Sequence, residues 1–263
     1  LLMLKKRLIG VVTVKNGWAV QSFGYRKYLP LGKPECLVDN LDRWGADEIL
    51  VQVIDRSLTE RGPDFELLEK LGRLGLGTPL IYGGGIRSVE DGIKVIQSGA
   101  DRLIVDALLH DDLSVVNSLG VRLGRQAIIA SLPISIGTDG IELYNYRTKS
   151  KSHISAVLTD VIEQGLISEI LLTDWKNEGY PVSFDKSLVE HFPFQKIPLI
   201  TFGGISNAKQ MKTLFARSNI SAIAIGNFLN YREHSIQEFK DTMASATLRS
   251  PSHATENSLQ ADV

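Results

Sequence analysis

The chain has a single cysteine, Cys36, among its 263 residues. One thiol excludes an internal disulfide and a cysteine-rich metal centre. In a helical stretch it is expected as a small, buried apolar side chain. Histidine offers no substitute, because His110, His153, His191, His234 and His253 are scattered without metal-ligand spacing. No metal and no organic cofactor is expected. An excess of one charge sign is also missing: 29 Lys+Arg face 30 Asp+Glu, a net charge of -1. That balance excludes the basic footprint of a general DNA or RNA binder. Apolar runs such as 167–172 and 220–225 break off after a few residues, far short of the roughly 20 needed to span a bilayer. The first seven residues place their charges after the apolar ones, the reverse of a signal peptide. A cytoplasmic protein without a membrane or nucleic-acid partner is expected.

What is present is rhythm. Short Val-, Ile- and Leu-rich runs at 8–14, 48–54, 79–82, 102–105, 127–132, 169–173, 199–202 and 222–225 have the length of buried parallel strands. Helical patterns at 34–44, 65–74, 89–98, 113–123, 154–164, 187–191, 208–216 and 236–244 alternate with them. Eight β-α alternations predict an α/β fold of the (β/α)8 TIM barrel type, with a doubly wound open sheet as the alternative. The run Pro79-Leu80-Ile81 with Gly84-Gly85-Ile86 recurs as Pro198-Leu199-Ile200 with Gly203-Gly204-Ile205, and Glu48-Ile49-Leu50 recurs as Glu169-Ile170-Leu171. Two similar half barrels explain the repeat and put the glycine turns on the opposed third and seventh strands. The barrel is expected over residues 1–245, followed by a disordered tail at 246–263 that has no apolar period. Residues 138–153, alternating through Ile141, Leu143, Tyr144 and Tyr146 and then basic, read as a hairpin inserted after the fifth strand.

In such a barrel, chemistry sits at the carboxyl ends of the strands. Those ends are Thr13, Asp55, Gly83-Gly84-Gly85, Asp106, Pro133, Asp174, Gly203-Gly204 and Gly226-Asn227. Glycine turns opening toward helices present backbone N–H groups to an anion, although tight strand-to-helix turns need glycine for conformational reasons alone. Gly84, Gly85, Gly203, Gly204, Gly226 and Asn227, with Gly179 in the loop after the sixth strand, are therefore candidate phosphate or substrate contacts. Asp55 and Asp174 are the candidate catalytic carboxylates. Like Asp106 and Glu178, they can serve a hydroxylated substrate or simply cap helices. Trp175 and Tyr180 flank the same loop. The hairpin at 144–151 can dock a partner or an anionic substrate, or simply be solvated.

The runs Lys6-Arg7-Leu8-Ile9, Gly45-Ala46-Asp47-Glu48-Ile49, Gly83-Gly84-Gly85-Ile86-Arg87-Ser88-Val89-Glu90-Asp91, Gly99-Ala100-Asp101-Arg102, Glu169-Ile170-Leu171-Leu172-Thr173 and Gly203-Gly204 fall in order over roughly residues 5–243. Through them the chain resembles the cyclase subunit of imidazole glycerol phosphate synthase, most of all its divergent paralogues from surface-polysaccharide gene clusters. The resemblance implies a barrel that takes ammonia from a glutaminase subunit, docked as a heterodimer on the amino-terminal face, and passes it up the axis. It implies an ammonia gate of Arg7, Glu48, Arg102 and Glu169, and a glutaminase contact at Asp101. A ring that only stabilises the barrel is the alternative for those four charges.

The chain also departs from the family. Thr13 and Pro133 stand where the resemblance implies two catalytic aspartates, and each loss removes about the 10² to 10⁴ in rate of a positioned acid or base. Gln21 stands where a substrate-covering lysine is implied, and Asp106-Ala107 where an Asn-Thr pair receives a phosphate. The resemblance to the paralogues implies ammonia delivery to a non-histidine acceptor, with a possible sugar-amidating enzyme and a phosphorylated or nucleotide-linked small molecule as partners. Retained cyclase activity through Asp55 or Asp106, or a non-catalytic scaffold and conduit, are the alternatives.

Overall fold

The structure, a computed structural model, describes residues 5–230, 235–243 and 248–249. Eight strands form the barrel: β1 (Arg7–Lys15), β4 (Glu48–Val53), β5 (Leu80–Gly83), β6 (Arg102–Val105), β7 (Ile128–Gly137), β10 (Glu169–Asp174), β11 (Leu199–Phe202) and β12 (Ile220–Ile225). Each pairs in parallel with the next, and β12 returns to β1. Closure through β7–β10 and β12–β1 excludes the open doubly wound sheet. The helices are α1 (Pro34–Arg43), α2 (Phe65–Gly72), α3 (Val89–Gln97), α4 (Ala107–Asp111), α5 (Leu113–Leu123), α6 (Ala156–Glu163), α7 (Ser187–Glu190), α8 (Ala208–Phe215) and α9 (Ser235–Thr242). None among the described residues is long and apolar enough to cross a membrane.

Side chains alternate across each strand with period two. One set, including Ile9, Val11, Leu50, Ile81, Ile104, Ile129, Leu171, Ile200 and Phe202, fills the barrel interior. The intervening set, including Leu8, Val12, Ile49, Val51, Leu103, Ile170 and Leu172, packs outward against the helices. Both faces are dry, which is why these strands read as continuous apolar runs.

The half-barrel repeat has a physical basis at its glycines. A Cβ on Gly84 (φ +134°) would lie 2.4 Å from the Val53 carbonyl oxygen, and one on Gly203 (φ +101°) would lie 2.5 Å from that of Asp174. In both halves the turn leaving one strand presses on the last residue of the strand before it. Only glycine fits this backbone approach at positive φ.

Two hairpins decorate the mouth. The inserted hairpin is present, but β7 itself supplies one arm: it continues to Gly137 and pairs antiparallel with β8 (Gly140–Asn145), which pairs with β9 (Ser150–Ser152). The other hairpin, β2 (Trp18–Phe23) with β3 (Lys27–Gly32), was not anticipated. The turn that folds β2 back against β1 was signalled by Asn16-Gly17, both at positive φ (51° and 78°), the dipeptide that favours a tight two-residue turn between paired strands.

Cys36 corrects the expectation of a buried thiol, because it is exposed. The buried stripe of α1 runs through Pro34, Val38 and Leu41, and position 36 falls on the opposite side of that helix. Of the expected tail, Leu248 and Arg249 are described: Leu248 bridges to Lys6, and the Arg249 amide donates to the Lys6 carbonyl at 3.3 Å. The rest of 246–263 lies outside the described residues, as do His234 and His253.

Candidate active site and axial charge ring

The carboxyl ends of the strands and the two hairpins enclose a cavity of about 870 Å³. Asp55, Gly84, Gly85, Asp106 and Pro133 line it, together with Gln52, Thr173, Trp175 and the hairpin residues Tyr25, Arg26, Tyr144, Tyr146, Arg147, Lys149 and Lys151. Thr13 lies at its edge, where its hydroxyl accepts from Gln52 Nε2 at 2.7 Å. Gln52 interrupts an apolar run two residues beyond inward-facing Leu50, and that interruption was its sequence signal.

The mouth retains one poised carboxyl. Asp106 accepts a short hydrogen bond from the Tyr146 hydroxyl. Burial pushes this carboxyl up to about 6, against the Tyr146 hydrogen bond and the Arg147 charge. Burial likewise drives the Tyr25 and Tyr146 phenols well above their ordinary range; Tyr146 donates to Asp106, and the Tyr25 hydroxyl accepts from Gln52 Nε2 at 3.5 Å. Asp55 is less engaged: Oδ2 accepts from the Asn16 amide at 3.3 Å, while Oδ1 is buried without a partner. Among the described residues, no three or more His, Cys, Asp or Glu side chains are grouped so as to hold a metal ion.

Asp174 lies elsewhere. Its carboxylate accepts from Asn177 Nδ2 (2.8 Å), the Asn177 amide (3.3 Å) and the Asp185 amide (2.9 Å), holding the loop after β10 together. Counting by twos from Glu169, Thr173 faces the interior and Asp174 faces out.

Two of the remaining candidates, Asn227 and Gly179, meet the β2–β3 hairpin. Asn227 donates to the Ser22 carbonyl (2.7 Å) and accepts from the Ser22 amide (3.2 Å). Glu178 accepts from the Ser22 hydroxyl (2.9 Å) and the Tyr25 amide (3.3 Å), and the Gly24 amide donates to its carbonyl (2.8 Å). A Cβ on Gly179 (φ +81°) would lie 2.0 Å from the Ser22 carbonyl oxygen. Gly204 is turned toward the loop, where its carbonyl accepts from the Ser183 and Phe184 amides. Gly226 faces the Phe202 ring. The structure thus brings Asp55, Gly84 and Gly85 into the cavity lining, and Gly179, Gly203, Gly204, Gly226 and Asn227 are not part of that lining.

At the opposite end, Arg7, Glu48, Arg102 and Glu169 are the first residues of β1, β4, β6 and β10. Each lies two positions before an interior apolar residue, so the four side chains converge on the axis. Arg7 bonds Glu48 at 3.0 Å and also Glu169; Arg102 bonds Glu169 at 2.7 Å and Glu48 at 3.5 Å. Burial raises Glu48 above its ordinary value despite both arginines. Burial pushes Glu169 the same way, but Arg7, Arg102 and the Ser221 hydroxyl outweigh it and hold Glu169 low. One Glu48 oxygen, Oε2, is buried without a partner. Asp101, beside the ring and exposed, accepts from the Leu80 amide at 2.8 Å.

A family model described as histidine biosynthesis protein matches residues 7–235. The chain belongs to that family. A relative from Vibrio vulnificus, bearing the provisional name imidazole glycerol phosphate synthase subunit hisF2, is 30% identical over 251 residues, covering 94% of this chain and 91% of its own. The imidazole glycerol phosphate synthase subunit HisF of an Exiguobacterium species is 28% identical over 249 residues, 94% of this chain and 96% of its own. A Leptospira interrogans protein with a provisional name of the same kind is 27% identical over 235 residues, 88% and 92% of the two chains. Within this histidine biosynthesis family fold, the interior lattice carries Thr13 on β1 and Pro133 on β7, neither able to exchange a proton near neutral pH.

Proposed function

We propose that this chain is a cyclase-like synthase subunit that takes ammonia from a glutaminase docked on the amino-terminal face. It delivers the ammonia up the barrel axis to an acceptor outside histidine biosynthesis. The observation that carries this reading is the pairing of opposite ends: a complete four-charge ring at the base, and a mouth with Thr13 and Pro133 at the positions of the implied acids. A ring of two cations and two carboxylates, bridged pairwise, offers hydrogen-bond partners to a small polar molecule while excluding larger ones. Opening it breaks exchangeable contacts in place of a packed core, and Glu48 Oε2 is a buried acceptor without a partner. Above the ring the interior is apolar, so uncharged ammonia passes more readily than ammonium.

The acceptor class in this reading is an acetamido sugar, converted to an acetamidino sugar when ammonia displaces the amide oxygen, which leaves with the activating group that a separate sugar-amidating enzyme attaches to it. The hisF2 name of one relative supports a paralogue of the cyclase in place of the cyclase itself. Co-sedimentation of the full chain with a glutaminase from the same organism tests the docking. A one-to-one complex lost on Asp101→Arg is expected; two independent species would overturn it. The histidine-pathway substrate with ammonium salt is expected to give no cyclised product, and turnover would restore the ancestral lyase.

A further inference from the structure

The four charges at the base are not held alike. Arg102 is tied to the barrel wall, where its Nη2 donates to the Ser168 hydroxyl at 2.8 Å and its Nε to the Gln126 carbonyl at 3.1 Å. Ser168 in turn donates at 2.8 Å to the carbonyl of Ile128, the first residue of β7. On the other side Ser221 of β12 accepts from Arg7 Nη2 at 3.3 Å and donates to Glu169 Oε1, with the carbonyl of Leu199, the first residue of β11, 3.1 Å away. Among the described residues Glu48 has no such anchor. Its contacts with Arg7 at 3.0 Å and Arg102 at 3.5 Å both run through Oε1, and Oε2 is buried without a partner. Buried carboxylate oxygens are normally satisfied, so this one marks the least settled member of the ring.

Moving either carboxylate has different consequences. Glu169 meets Arg7 through Oε1 and Arg102 through Oε2, so both arginines keep a partner when Glu48 leaves. If Glu169 left, the two cations would share one oxygen of Glu48, and Ser221 would lose its acceptor. Stranding a buried charge is the costly part of breaking such pairs, so the ring opens at Glu48. The titration directions agree. Burial, with Glu169 adding to it, raises Glu48 against the pull of Arg7, Arg102 and Arg249, whereas both arginines and the Ser221 hydroxyl hold Glu169 low. Arg249 is exposed, and its amide bonds the Lys6 carbonyl just before β1. It gives a Glu48 turned outward another cation to meet.

We infer that the ring is a gate with a single leaf: Ser168 and Ser221 pin Arg7, Arg102 and Glu169, and the Glu48 carboxylate swings to let a small uncharged molecule onto the axis. Ser168 and Ser221 are positioning residues that act through the charges they hold. That the admitted molecule is ammonia rests on the function proposed above. The motion of Glu48 does not rest on it and can be followed in this chain without a glutaminase.

Methyl relaxation dispersion on the full chain is the experiment. Leu50 and Leu171 are the next interior residues above Glu48 on β4 and above Glu169 on β10, and their methyls report on the two carboxylates. Microsecond-to-millisecond exchange is expected at Leu50 and none at Leu171. Ser221→Ala, which unpins Glu169 without changing any charge, should bring exchange to Leu171. Ammonium chloride at mildly alkaline pH, where a share of it is free ammonia, should change the exchange at Leu50, and an equal concentration of sodium chloride should not. No exchange at Leu50, equal exchange at both leucines in the parent, or a Ser221→Ala chain with Leu171 still quiet would overturn the single leaf. The same response to both salts, or none to either, would overturn ammonia as the molecule admitted. Exchange at Leu50 in a chain that forms no glutaminase complex would contradict the proposed function and leave the leaf standing.

Discussion

Glu178 shows how a single buried carboxyl ties together parts of the chain that the sequence keeps far apart. Burial pushes it up to about 7, while the Ser22 hydroxyl and the Tyr25 and Gly24 amides pull the other way. The folded state therefore holds this proton more tightly than the unfolded chain, where the carboxyl titrates near its ordinary 4.5. The group's contribution is fully present below about 4.5 and is lost as the pH rises toward 7. Glu178→Gln should be equal to the parent at pH 4.5 and more stable by about 3 kcal/mol at pH 8, measured by urea denaturation at both values. A parent-like slope between them would remove Glu178 from the account.

At this scale the legible residues were those whose role depends on position along a strand. Thr13 and Pro133 follow from counting strand ends, whereas the four ring charges are implied only by the family resemblance. Asp174 was harder, because a strand-end carboxylate can face either way; only parity counted from Glu169 shows that it faces the loop. Tyr25, Arg26 and Lys15 were missed as site residues because a hairpin absent from the sequence reading brings them in.

Elements divide by how much of their stability is local. The barrel strands were legible because both faces are dry and their composition says so. The β2–β3 hairpin was not, since β3 is largely exposed and contains Pro30, and its anchors, Glu178 and Asn227, come from distant loops. The glycine turns rest on a backbone approach that an added methyl would disrupt in both halves alike. Gly84→Ala and Gly203→Ala should each cost about 2–5 kcal/mol in equilibrium unfolding. Gly124→Ala, also at positive φ but with nothing within 4 Å of an added Cβ, should cost about 1 kcal/mol. Equal losses at all three would mean that strain alone, not the shared turn packing, fixes these glycines.

For the whole molecule, the two ends of one axis differ in kind. The base is a closed ring of charges over an apolar interior; the mouth is a wide, cation-rimmed cavity without the two implied acids. The ring was implied by the family resemblance, but its mutual bonding was not legible, because β1, β4, β6 and β10 meet only when the barrel closes. Removing one member should destabilise by about 3–5 kcal/mol by stranding a buried charge, so Arg102→Met is expected to unfold at lower denaturant.

Glutamine hydrolysis by the partner glutaminase, followed as this intact chain is titrated in, tests the account most directly. The account predicts saturable stimulation at one-to-one stoichiometry that Asp101→Arg abolishes without loss of folded chain. Unchanged hydrolysis across the titration, with no complex formed, would contradict it.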